Sequence, residues 1–185
     1  MNGITAADHD HAGHRYIAWN DKRNQASGSL SSIMFARSDD NGQTWSTPIR
    51  IDNEDGAAVG YVGRGTHLKV DDNGHIYVLW DDLRAGLPAP QLYMAHFRRR
   101  RKNLARQGRA DRTKQRDRRH DASTELLADE LGNLYVYWTD LRSGTESRIY
   151  TISSRDYGTR PFRLSSDWTS WPRTAPTAWH RQARS

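Results

Sequence analysis

Three stretches of the chain alternate apolar and polar positions in the same way. Gly13-His14-Arg15-Tyr16-Ile17-Ala18-Trp19-Asn20-Asp21-Lys22-Arg23 recurs from Gly74 to Arg84 and again from Gly132 to Arg142. The shared pattern is G-x-x-Y-[VI]-x-W-x-D-x-R, with the glycines 61 and 58 residues apart. Tyr, Val, Ile and Trp suit a pleated, half-buried surface, so each copy predicts a strand entered through a turn at its glycine. A short strand is expected upstream of each copy, at Ile4–Ala7, His67–Val70 and Glu125–Ala128. Another is expected downstream, at Ile33–Arg37, Leu92–His96 and Ile149–Ser153. With a fourth strand near Pro48–Ile51, each repeat of about 60 residues describes one four-stranded blade of a β-propeller. The resulting divisions are 1–60, 61–122 and 123–165. Residues 166–185 carry Trp168, Trp171 and Trp179 but no repeat element, and stay unassigned.

The first repeat contains a second motif, Ser38-Asp39-Asp40-Asn41-Gly42-Gln43-Thr44-Trp45, which reads S-x-D-x-G-x-T-W. Flanked by apolar runs, it predicts a tight turn between antiparallel strands. The Asp40 carboxylate can accept backbone N–H groups, and Gly42 can take the positive φ required. The hydroxyls of Ser38 and Thr44 can tie the two sides together, and Trp45 is expected to turn back into the core. The string resembles the Asp box, or bacterial neuraminidase repeat, of the sialidase superfamily. The resemblance spans residues 4 to 162 and implies an all-β fold: a partial propeller of about three Asp-box blades from a six-bladed ring. In that family the box is a structural turn away from the active site.

The other repeats depart from the motif. The third keeps Ser154, Asp156 and Gly158 at the right spacing, but Arg160 and Pro161 replace the Thr and Trp, with Phe162 one place late. In the second, the box position begins at Phe97 and runs into Arg98-Arg99-Arg100-Arg101-Lys102-Asn103-Leu104. Read one nucleotide later, suitable codons for Phe97 to Leu104 spell S-x-D-x-G-K-T-W, in register with Ser38–Trp45. The Arg-rich tract 98–119 is therefore read as a local frame error, restored near Ser123 to Glu125. AGA or AGG codons at Arg98–Arg101, or AAT at Asn103, would exclude it.

Charge sharpens this picture. The formal net charge of +6 over 185 residues hides an uneven distribution. Arg98 to Arg119 holds twelve basic residues against two aspartates, and the remainder is net acidic. Such a tract would attract polyanions in a salt-sensitive way. It has no interleaved aromatics beyond Phe97 and no recognition-helix pattern, which argues against nucleic acid as a biological partner. A non-specific nucleic-acid-binding role stands as an alternative. Apolar residues make up 35%, aromatic ones 10%, and there is no cysteine, so disulfides and thiolate metal sites are excluded. No apolar run approaches the roughly 18 residues of a membrane span, and no signal-peptide pattern is visible at Met1.

Sialidases, which the box resembles, are glycoside hydrolases that grip a sialic acid carboxylate with arginines. The resemblance implies sialylated or other glycans as partners, an extracellular or periplasmic setting, and exo-α-sialidase-like chemistry in an active full-length form. No Arg-Ile-Pro motif is found, so no catalytic residue transfers and the catalytic set is unknown. This chain alone is expected to lack activity, and a non-catalytic module binding glycans or proteins is the alternative. Candidate ligands for an acidic group are Arg23, Arg84 and Arg142 of the D-x-R pairs, together with Tyr61. A residue repeated in every blade is more economically a structural pair, since a catalytic site is asymmetric. Trp19, Trp80 and Trp138 read as packing residues. Asp8-His9-Asp10-His11 with His14 has ligand-type residues but sits at a turn, so no metal and no cofactor are assigned.

Overall fold

The computed structural model describes residues 5–23, 30–52, 58–59, 66–82, 91–98, 106–109, 120–140, 148–157 and 163–165. They form thirteen strands: β1 (Thr5–His9), β2 (Arg15–Asp21), β3 (Leu30–Ser38), β4 (Ile49–Arg50), β5 (Ala58–Val59), β6 (His67–Val70), β7 (His75–Asp82), β8 (Gln91–Arg98), β9 (Arg106–Arg109), β10 (His120–Ala128), β11 (Leu134–Asp140), β12 (Arg148–Ser154) and β13 (Arg163–Ser165). The pairing is antiparallel throughout and resolves into three four-stranded blades, β1–β4, β6–β9 and β10–β13. The protein is an all-β partial propeller. Strand β5 belongs to no blade. It pairs with β3 and touches β7 at Asp82, joining the first two blades into one hydrogen-bonded sheet.

Each repeat motif forms the second strand of its blade, and register fixes how the repeats correspond. Arg15 pairs with Ser38, Ile76 with Phe97, and Leu134 with Ser154. Phe97 therefore occupies the place of Ser38 and Ser154. A phenylalanine cannot cap a turn as a hydroxyl does; its ring instead meets Phe35 edge-on, with centroids 4.8 Å apart. The fourth strand of blade 2, β9, is drawn from within the arginine-rich tract. Strand β10 starts at His120, and its pairing with β11 is irregular between Asp121 and Thr124, where the repeat pattern resumes.

Because side chains alternate along a strand, each blade has two distinct faces. One carries the motif tyrosine (Tyr16, Tyr77 or Tyr135), and the other carries the motif tryptophan (Trp19, Trp80 or Trp138). The tyrosine face of blade 1, with Ala18, Ile33 and Phe35, packs on the tryptophan face of blade 2, with Ile76, Val78 and Ala95. Blade 2 repeats the arrangement against blade 3, where Leu79, Leu92 and Met94 meet Val136, Tyr150 and Ile152. Trp80 and Trp138 are each only 1% exposed at these contacts. Trp19 stands on the outer face of blade 1 and is half-buried. Trp45 departs from expectation: it is 41% exposed and does not enter the core. It lies beside Ala7 and Ile17 on that same outer face, and among the described residues no further blade covers it.

Candidate functional site

The two ends of the blade stack are built differently. At one end lie the tight turns. Asp10, Asp71 and Asp129 each start a turn in which the aspartate N–H donates to the carbonyl four residues on. The glycine three residues on donates back to the aspartate carbonyl and takes φ of +84°, +75° or +80°. The same carboxylates accept the backbone N–H of His14, His75 and Asn133 at 3.0, 2.9 and 2.8 Å. They also engage the side chain of that residue. Tyr16 and Tyr77 donate their hydroxyls to Asp10 and Asp71 at 3.0 and 3.1 Å. The histidines near the N-terminus are thus partly committed: His14 binds Asp10, and His11 meets Asp72 of the next blade at 2.5 Å. Among the described residues no three His, Asp or Glu side chains converge as metal ligands.

The Ser38–Trp45 turn lies at this end. Ser38 Oγ donates to Asp40 Oδ1 at 2.7 Å and accepts Gly42 N–H at 2.8 Å. Asp40 accepts the Thr44 N–H at 2.8 Å and the Thr44 hydroxyl at 2.5 Å. The Thr44 hydroxyl and backbone, with Ser38, hold the Asp40 carboxyl down at about 2. Gly42 has φ of +92°, and Asn41 is also left-handed at +61°. In blade 3, Ser154 Oγ donates to Asp156 Oδ1 at 2.6 Å, reproducing the first bond of the set. Gly158 lies outside the described residues.

Between the turns of blades 2 and 3 sits a buried imidazole pair. Arg98 Nε donates to His75 Nε2 at 2.6 Å, which leaves the proton on His75 Nδ1 to donate to Asp71 at 3.0 Å. His96 stacks on Tyr77, with centroids 4.9 Å apart. Burial pulls the His96 ring down to about 4, and its Nε2 has no hydrogen-bond partner. The clasp is structural in form: both His75 nitrogens and the Tyr77 hydroxyl are bonded to protein groups.

At the opposite end lie the described residues Asn20–Arg23, Asp52, Thr66 and Asp81–Asp82, where strands β2 and β7 end and β6 begins. Residues at strand ends of a rigid scaffold are where binding groups concentrate. Here Asp21 receives Arg23 through Nε at 2.9 and 3.0 Å and through Nη2 at 2.5 Å, and the backbone N–H of Arg23 at 2.9 Å. That pairing, set against modest burial, holds the Asp21 carboxyl below its usual range. Trp80 Nε1 donates to Asp82 Oδ2 at 2.9 Å, and Asp52 receives Arg50. Burial raises the Asp52 carboxyl, an effect that Arg50 opposes. Thr66 donates to Asn20 at 2.7 Å, and Asn20 donates to Ser31 at 2.9 Å. Burial lowers the His67 ring, while Glu125 and Asp81 pull it upward. Four buried carboxylates, Asp21, Asp52, Asp81 and Asp82, lie at this end of the stack, compared with Asp10 and Asp71 at the turn end.

Of the candidate acid ligands, Arg23 lies at this end, tied to Asp21 with its side chain two-thirds exposed. Arg84, Arg142 and Tyr61 lie outside the described residues. Sequence reasoning missed the roles of Asp71, His75, Tyr77 and Asp82. The repeated D-x-x-G-x-x-Y and W-x-D spacings were the available signals.

No protein-family model matches the chain, and no curated protein sequence matches it. Solved structures do. The α-L-arabinanase of Penicillium chrysogenum complexed with arabinobiose aligns over 95% of this chain and 50% of its own, at 16% identity and a TM-score of 0.58. An ulvan lyase bound to a GlcA(1-4)Rha3S unit covers 90% of this chain and 39% of its own, at 14% identity and TM-score 0.57. The α-L-arabinofuranosidase of Fusarium graminearum complexed with arabinobiose covers 90% and 47%, at 12% identity and TM-score 0.56. These likenesses are of fold, the β-propeller. The chain spans about half the length of these structures or less.

Proposed function

We propose that these blades belong to a propeller that recognises or processes glycans, sialidase-like in its Asp-box turns. The reading is supported chiefly by the division between the two ends of the stack. Among the described residues, Asp10, Asp71 and Asp129 at one end are each bonded within their own turn. The other end holds four buried carboxylates, Asp21, Asp52, Asp81 and Asp82, with the exposed Arg23 guanidinium. Carboxylates are the groups that glycoside cleavage requires, in pairs. The fold likeness to carbohydrate-active propellers supports the same substrate class without choosing among sialosides, arabinans and uronate-containing chains. The Ser38–Trp45 turn is read as an Asp box and Ser154–Asp156 as its worn copy. Arg23, Arg84, Arg142 and Tyr61 remain the candidates for an acidic sugar.

A non-catalytic binding module is the second reading. One observation favours it: Asp21, Asp52 and Asp82 are already held by Arg23, Arg50 and Trp80. A carboxylate committed to a strut is a poor acid, base or nucleophile. Fluorogenic sialosides and α-L-arabinofuranosides, assayed beside a glycan array, separate the two. For this chain alone the expected outcome is specific array binding without turnover. Turnover would establish a hydrolase. Absence of any glycan binding would contradict the first reading and leave of the second only a module that binds proteins.

A further inference from the structure

The first strands of the blades, β1, β6 and β10, lie side by side from blade to blade, so the three blades converge on them. Register sets equivalent positions along this edge. Ala6 pairs with Ala18, His67 with Leu79 and Glu125 with Tyr137, and each partner stands one place before its motif tryptophan. Two residues on, Asp8, Lys69 and Leu127 pair with the motif tyrosines. Side chains of one row can meet across blades, since Lys69 Nζ reaches Asp8 at 3.9 Å. The row of Ala6, His67 and Glu125 holds a different residue in every blade. A structural pair shared by the blades would repeat, whereas a binding site on a propeller is asymmetric. His67 opens β6 beside Thr66, at the end that holds the buried Asp21, Asp52, Asp81 and Asp82. Asp81 stands two places beyond Leu79 on the same face, which makes it the diagonal neighbour of His67. Burial lowers the half-buried His67 ring, and Glu125 and Asp81 draw it the other way through charge alone. His75 differs, because Asp71 and Arg98 bond both its nitrogens.

On the glycan reading above, we propose that His67 is a sugar contact on this convergent edge, with Glu125 as a second acceptor beside it. A neutral imidazole offers one N–H donor and one acceptor nitrogen, and a sugar hydroxyl both accepts and donates. Burial keeps the ring neutral at neutral pH, which leaves the acceptor nitrogen in place. Because Ala6, His67 and Glu125 differ, the edge has a direction, and a sugar is held there in one orientation.

Isothermal titration of the full chain with arabinobiose, with sialyllactose and with the glycan that the array holds most tightly tests this. His67→Ala is expected to weaken whichever probe the wild type binds by about tenfold or more. His67→Gln, which keeps a donor and an acceptor, is expected to weaken it less. Lys69→Ala breaks the bridge to Asp8 in the next row and is expected to bind as the wild type does. If His67→Ala fails to fold, the ring nitrogen resonances of His67 in the wild type read the same contact, and are expected to move as sugar is added. Unchanged affinity in His67→Ala, an equal loss in Lys69→Ala, or a ring that stays still under bound sugar would overturn the contact and leave the glycan reading standing. A wild type that binds no probe and no glycan of the array would overturn that reading and the contact with it.

Discussion

The buried histidines show how far a residue's chemistry is set by its neighbours. His96 lies against Tyr77, where desolvation and the neighbouring His75 and Arg98 outweigh the pull of Asp71, and its ring is held near 4. His75 is lowered for the same reason, with Asp71 opposing. The folded-state value lies below the unfolded 6.5, so the unfolded chain binds the proton first as the pH falls. Stability from these groups is complete above about pH 6.5 and declines as the pH drops toward 4. Urea midpoints measured across that window are expected to fall. His96→Phe, which keeps a ring on Tyr77 but cannot titrate, is expected to flatten the decline and leave the part due to His75. An unchanged slope in that variant would show that the ring titrates normally. Asp40 works in the same sense over a more acidic window. Its carboxyl, held at about 2, contributes fully above the unfolded value of 3.8 and loses that contribution as the pH falls from there through the folded value.

At the scale of the element, the turns repeat one design with different tolerances. Gly13 and Gly132 both sit at left-handed φ, +84° and +80°. A Cβ at Gly13 would meet nothing within 4 Å, whereas one at Gly132 would collide with the Tyr157 ring. Gly13→Ala is therefore expected to cost about 1–2 kcal/mol, the ordinary penalty of that conformation. Gly132→Ala should cost measurably more, because Tyr157 must also move. Equal losses in paired denaturation curves would mean that Tyr157 gives way freely.

The same elements show what could be read from residues alone. The strands and their correspondence were legible because the eleven-residue pattern appears three times. Register pairs Ser38, Phe97 and Ser154 with Arg15, Ile76 and Leu134 as the spacing requires. The partners of Asp71 and Asp82 were not legible, since aspartate at a strand end is common. Only the fold brings the Tyr77 hydroxyl and the Trp80 indole onto those oxygens. Nor could Trp45 be placed. Whether a tryptophan on a blade face is buried depends on the neighbouring blade, and that is not written in its own repeat. The β5 link between blades 1 and 2 carries no repeat signal at all.

At the scale of the molecule, the described residues form three blades that stack through two equivalent apolar contacts, with buried aspartates at both ends. The net positive charge belongs to residues 98–119, so polyanion attraction is expected to reside there and to leave recognition at the acidic end untouched. The central claim is that glycan meets the end bearing Asn20–Arg23, Thr66 and Asp81–Asp82. The most direct measurement is an NMR titration of the isotope-labelled full chain with oligosaccharides selected from the array. Shifts are expected at those residues, while Asp10–His14, Ser38–Thr44 and Asp129–Asn133 stay still. Shifts confined to the turns, or none at saturating sugar, would contradict the claim.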